Sequence, residues 1–294
     1  TINRKHKQLI DGAAAPDANE EYLIYQTLIG SWPLEEMTPE LRPIYIRRIQ
    51  DYMVKALHEA KVNSSWIEPN EAWDGAVREF VAKLLHPRST NRFVAAFTPL
   101  AARVAELGAQ NSLSQVALKL TIPGLPDLYQ GSELWDLSLV DPDNRRPVDY
   151  QRRRQVLDEI RGGQTNPREL LEHWRDGRVK MFVLHTLLQL RKSHRGLFDH
   201  GSYAGLTVHG THARSCLSFT REWEGKRIIV AVPRLSCAVG FPALGERWSD
   251  TALETPTPDV AWRNVFSRAH YPAASELRLA EIFADFPLAV LISE

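Results

Sequence analysis

Cysteine is nearly missing from this chain: Cys216 and Cys237 are the only two in 294 residues. Two thiols are too few to staple a small secreted domain, and they lack the Cys-x-x-Cys spacing of a zinc or redox site. Both fall in segments with strand character, so buried free thiols and a reducing, cytoplasmic compartment are expected. Long apolar runs are absent as well. Nothing approaches the roughly 18 consecutive apolar residues of a membrane span, so no membrane partner is expected. Neither sign of charge is in excess, with 36 Lys plus Arg against 36 Asp plus Glu. No global field favours a phosphate backbone, and nucleic acid is not an expected partner. The basic run Arg152-Arg153-Arg154 reads as the wet face of a helix. There is no Gly-x-x-x-x-Gly-Lys-Ser/Thr phosphate loop, and His58-Glu59 is followed by Ala-Lys-Val instead of completing His-Glu-x-x-His. The histidines, among them His185, His194 and His209, are scattered without metal-ligand spacing, so neither metal nor cofactor is expected. Thr1 stands where a Met would open a natural chain, which suggests a fragment.

What is present up to about residue 200 is helical punctuation. Asp17 with Glu20 has the spacing of a capping box, and Gly30 is expected to stop the helix that follows. Thr38 before Pro39 marks a second start, followed by a stripe of Ile46, Ile49, Met53 and Leu57. Asn70 can cap a third helix, with Trp73, Val77, Phe80, Val81 and Leu84 on its buried side. A fourth carries Phe93, Phe97, Leu100, Val104 and Leu107 and is expected to end at Gly108, with another from Ser112 through Leu120. Asp149 can cap a helix to Ile160, and Val179 to Ser193 is long and apolar-periodic. From about Gly201 the period moves toward two, in Tyr203 to Val208, Cys216 to Thr220, Arg227 to Pro233 and Leu288 to Ile292. Gly245 to Asp259 reads as an irregular loop.

The densest chemistry lies from Pro123 to Asp149. Pro123, Gly124 and Pro126 break the helix, Leu128 and Tyr129 read as a short strand, and Gly131 ends it. A sugar presents rows of hydroxyls and an apolar ring face. Asp141, Asn144 and Arg145 can bond the hydroxyls, and Tyr129 and Trp135 can meet the face. The plainer reading of such a loop is a surface ion pair. Trp32, Trp66 and Trp73 are possible stacking platforms, although a Trp beside an apolar stripe is more often core.

The string from Pro123 to Glu133, with Asp141 to Arg145, resembles the end of the last barrel strand and the following loop in the α-amylase superfamily of glycoside hydrolases. The longer string from Gly131 to Asp149 resembles the maltooligosyl trehalose synthase family. So do the stretches Asp17 to Pro33, Ala60 to Asn70 and Leu187 to Phe198. The resemblance implies an α+β fold: a helix-rich region at 1–200 carrying the last strand of an incomplete (β/α)8 barrel, then an antiparallel β-sandwich at 201–294. It also implies a maltooligosaccharide substrate, whose reducing-end α-1,4 linkage is rearranged to an α,α-1,1 linkage by intramolecular transfer.

Such a retaining mechanism needs a nucleophilic carboxylate and an acid about 5 to 5.5 Å apart. The family carries them in strings such as Arg-x-Asp-His and His-Asp-Thr-Lys, none of which occurs here. The expected engine therefore lies in a missing N-terminal part, and the chain alone is expected to be silent. By resemblance Asp141 and Arg145 bind hydroxyls of the glucose beside the cleaved bond, with Asn144 and Asp143 as secondary candidates. Tyr129, Gln130 and Glu133 fall at the carboxyl end of the presumed strand, where barrel enzymes place working residues. A carbohydrate-binding module, a purely structural piece, and part of another α-glucan hydrolase are the alternatives.

Overall fold

Asp17 opens the first helix, Ala18–Ser31, in the computed structural model, which describes residues 2–88, 90–163 and 165–294. Its carboxylate accepts the Glu20 N–H at 2.8 Å while the Glu20 carboxylate accepts the Asp17 N–H at 2.8 Å, a reciprocal capping box. Gly30 does not stop this helix. It ends one residue later, where Trp32 is driven to an extended conformation by Pro33. Two more helices follow, Leu41–Ala60 and Glu71–Leu84, the latter capped by Asn70 through the Trp73 N–H at 3.0 Å. Ile24, Leu28, Ile49, Met53, Val77 and Phe80 form their common core. A short hairpin, Gln8–Ile10 with Ala13–Ala15, packs on the same group.

The two helices expected on either side of Gly108 are one, Arg92–Thr121. Gly108 is exposed and its missing side chain faces open space. A lone glycine costs about 1 kcal/mol in a helix, and the buried residues beyond it, Leu113, Val116, Ala117 and Leu120, outweigh that. The chain forms two compact units, Thr1–Ala105 with Leu137–Pro147 and Glu106–Asp136 with Val148–Glu294.

The second unit contains the helices Tyr150–Arg161, Pro167–Glu172, Arg178–Ser193 and Arg195–His200, and two antiparallel sheets. Six strands run in the order Ala204–Gly205, Cys216–Trp223, Lys226–Pro233, Ala289–Ser293, Trp262–Asn264 and His270–Tyr271. Three more run Glu276–Arg278, Ala252–Glu254 and Val208–His209. The hairpin between Cys216–Trp223 and Lys226–Pro233 turns on Glu224 and Gly225, with φ of 47° and 77°. That pair of left-handed residues matches the twist of the flanking strands. The central strands read as continuous apolar runs because both their faces are covered. Ile229, Ala231 and Leu291 of the larger sheet share a buried core with Leu253 and Leu277 of the smaller.

Three further expectations are corrected. Gly245 to Asp259 contains a 3-10 turn, Gly245–Trp248, that buries Trp248, and the strand Ala252–Glu254. Cys216 is buried, but Cys237 lies exposed in the turn after Lys226–Pro233. Leu128 and Tyr129 form no strand, and residues 125–129 are irregular. A parallel strand without neighbours would leave its N–H and C=O groups unpaired. No helix among the described residues is long and apolar enough to cross a membrane.

Candidate functional site

The Leu137–Pro147 loop of the first unit is held by the second helix of that unit. Asp143 lies in a 3-10 turn, Asp143–Arg145, and both its carboxylate oxygens are 2.9 Å from Arg48 Nε. The Leu139 N–H donates to the same group at 2.6 Å, and Arg48 Nη2 also donates to the Leu137 carbonyl. The Asp143 side chain is 10% exposed. It braces the loop, turned toward Arg48 and the Leu139 N–H.

Asp141 is placed differently. Its carboxylate pairs with Arg145 Nε four residues on, and Lys55 Nζ stands 3.7 Å away while donating to the Asp141 carbonyl. The Asp141 and Arg145 side chains remain 45% and 75% exposed. The structure thus brings Asp141 and Arg145 together with their polar ends in solvent, and Asn144 is exposed beside them. Such an acceptor and donor pair suits two adjacent hydroxyls of a sugar. Arg48 and Lys55, seven residues apart on one helix, are the partners that sequence reasoning missed. Their only signal was polarity on a face of Leu41–Ala60 that the core does not use.

Tyr129, Gln130 and Glu133 belong to the second unit. Glu133 accepts from Arg153 Nε at 2.8 Å, and the same guanidinium donates to the Gly131 carbonyl at 2.5 Å and the Asp149 carbonyl at 3.0 Å. Gln130 Oε1 accepts from the Tyr150 hydroxyl at 2.6 Å. Tyr129 is 77% exposed and edges a pocket of about 630 Å3 lined by Lys119, Ile122, Leu125 and Asp127. Arg153 is therefore more than the wet face of its helix: it locks the loop, and Glu133 serves in that lock.

Trp135 donates from Nε1 to the Trp174 carbonyl at 2.5 Å, and Lys180 Nζ lies 5.7 Å from its ring. Burial holds the Lys180 ammonium below the ordinary lysine range, with Asp136 opposing. Trp135 is thus a half-buried strut of the loop. Trp32 packs between Tyr45 and Phe97, and Trp73 is buried with its N–H on Glu20. Of the three earlier Trp candidates Trp66 alone stays open, at 57% exposure. Among the described residues no group of three or more His, Cys, Asp or Glu side chains gathers as a metal would require.

In sequence and in its order of helices, polar loop and terminal antiparallel sheets, the chain is similar to the maltooligosyl trehalose synthases. It is 35% identical over 290 residues to proteins of two Mycobacterium tuberculosis strains that carry this name, a match covering 98% of the chain and 33% of theirs. The solved maltooligosyltrehalose synthase of Arthrobacter ramosus is 30% identical with a TM-score of 0.75, over 93% of this chain and 32% of that one. A structure titled as a hypothetical maltooligosyl trehalose synthase of Sulfolobus tokodaii is 28% identical with a TM-score of 0.68, over 94% and 32%. No family model matches the chain. The chain spans about a third of the length of the curated relatives it matches.

Proposed function

We propose that this chain is the C-terminal portion of a maltooligosyl trehalose synthase and forms one wall of its α-glucan cleft. The observation that carries this is identity of 35% along 98% of the chain to one third of such proteins. In this reading Asp141 and Arg145 orient glucosyl hydroxyls, with Asn144 and Tyr129 as further contacts. Gln130 and Glu133 keep the neighbouring loop in shape. The nucleophile and the acid come from the N-terminal part, which also supplies the strands beside residues 125–131 that would complete a (β/α)8 barrel. Residues 1–200 then form the helical region with the end of the barrel, and 201–294 a β-sandwich, supported by the core its two sheets share. The work is cytoplasmic.

The reaction proposed for the complete enzyme keeps the released glucose in place so that its anomeric hydroxyl, instead of water, attacks the glycosyl ester. Water exclusion then separates isomerisation from hydrolysis.

Incubating the 294-residue chain with maltopentaose is expected to yield no trehalose-ended product, and its appearance would overturn the division of labour. Calorimetric titration with maltodextrin is expected to show weak binding that Asp141→Ala and Arg145→Ala each reduce about tenfold or more. Binding unchanged in both variants would favour a carbohydrate-binding module.

A further inference from the structure

A second pocket, of about 350 Å3, lies within the first unit and has no part in the sugar loop. The turn Arg4–His6, the end of the helix Glu71–Leu84, and His86, Arg88 and residues 90–93 form its wall. Lys5, His6, Lys83, His86, Arg88 and Arg92 line it, and among the described residues no Asp or Glu does. In a chain of zero net charge that is a pronounced local excess.

Local structure explains only part of the excess. Lys83 pairs with Glu79 at 2.7 Å and lies at the negative end of its helix, where a cation is favoured. Arg92 is the first residue of a 30-residue helix, the positive end, and no acidic residue occupies that first turn. A cation there is disfavoured by the helix itself. Lys5, Arg88 and Arg92 have no carboxylate partner among the described residues. The crowding is felt at His6, whose imidazole lies below its ordinary range through burial and then through Lys5 and Lys83.

One unsatisfied acceptor also lines the pocket. Asn3 is 5% exposed, and its Nδ2 donates to the Tyr25 hydroxyl at 2.8 Å, while its Oδ1 has no partner. A buried carbonyl oxygen left unpaired is costly, and a bound ligand hydroxyl would supply the missing donor. The volume exceeds the needs of a lone oxyanion and falls at the lower end of small-molecule sites.

We propose that this pocket binds a small phosphomonoester, its phosphoryl oxygens met by Lys5, Arg88 and Arg92 and one of its hydroxyls donating to Asn3 Oδ1. Guanidinium and ammonium groups lining one pocket suit a phosphoryl group, and Asn3 Oδ1 gives an organic ester's hydroxyl an acceptor.

Isothermal calorimetry on the 294-residue chain at low salt, with glucose 6-phosphate, inorganic phosphate and glucose as separate titrants, tests this. Glucose 6-phosphate is expected to bind at least tenfold more tightly than inorganic phosphate, with no heat from glucose. The exposed double variant Lys5→Ala/Arg92→Ala is expected to keep the melting temperature and weaken glucose 6-phosphate at least tenfold. Asn3→Ala is expected to abolish the preference for the ester. Absence of binding, or affinity unchanged in the double variant, would overturn the site. Equal affinity for the ester and the free ion would overturn its assignment to an organic ester.

Discussion

Asp141 and Asp143 lie two residues apart in surroundings that differ in the number of donors supplied. Asp143 has a guanidinium and a backbone N–H closing on it, whereas Asp141 keeps one face in water. Asp143→Ala should therefore act on stability, leaving half-buried Arg48 without its carboxylate at a cost of about 2–3 kcal/mol, readable in urea unfolding. The two thiols differ in the same manner. Burial pushes the Cys216 thiol up to about 12, so a neutral-pH thiol reagent is expected to label Cys237 alone in the native chain and both residues in denaturant. Burial likewise raises the Tyr25 and Tyr45 hydroxyls to about 12. These three groups keep their protons longer in the folded chain than in the unfolded one. Their contribution is complete below about pH 9 and is lost as pH rises toward 12, so unfolding followed by circular dichroism should show stability declining across that window. At this scale the sequence disclosed candidate ligands but not their holders. Arg48 meets Asp143 across 95 positions of chain and Lys55 meets Asp141 across 86, and no local pattern announces such pairs.

Elements whose ends are fixed by local chemistry were legible in the sequence. The caps at Asp17, Asn70 and Asp149 each accept the N–H three residues on, and the helices start where those side chains dictate. Glycine was the poor guide. Gly30 lies one residue inside its helix end and Gly108 in mid-helix, because an exposed glycine weakens a helix without by itself terminating it. Gly177, by contrast, is required where it stands. Its φ is 79°, and an added Cβ would come within 3.1 Å of the Leu134 Cβ and the Trp135 nitrogen. Gly177→Ala is expected to cost about 1–2 kcal/mol and to loosen the loop that holds Trp135, measurable as a lower melting temperature and faster amide exchange there. The short strand expected at Leu128 and Tyr129 failed for a different reason. Its residue types suit a strand, but no strand among the described residues pairs with it, and an unpaired strand leaves its N–H and C=O groups unsatisfied.

For the whole molecule, the α+β class and the passage from a helix-dominated region to the two larger sheets followed from the change of apolar period near Gly201, whereas the hairpin Gln8–Ile10 with Ala13–Ala15 did not. The partition into two units did not, because residues 137–147 join the first unit and 106–136 the second, an exchange that only tertiary contacts decide. The topology of the larger sheet has a consequence for how the chain is made. Ala289–Ser293 comes after every other strand of that sheet in sequence, yet it sits in the middle, between Lys226–Pro233 and Trp262–Asn264. As the polypeptide leaves the ribosome, its neighbours must wait with open edges until this strand emerges. A chain ending at Leu288 is accordingly expected to be recovered in the pellet after expression, while the 294-residue chain stays in the supernatant. Biosynthesis therefore offers the second unit no stable halfway house: its sheet closes at the centre, and it closes last.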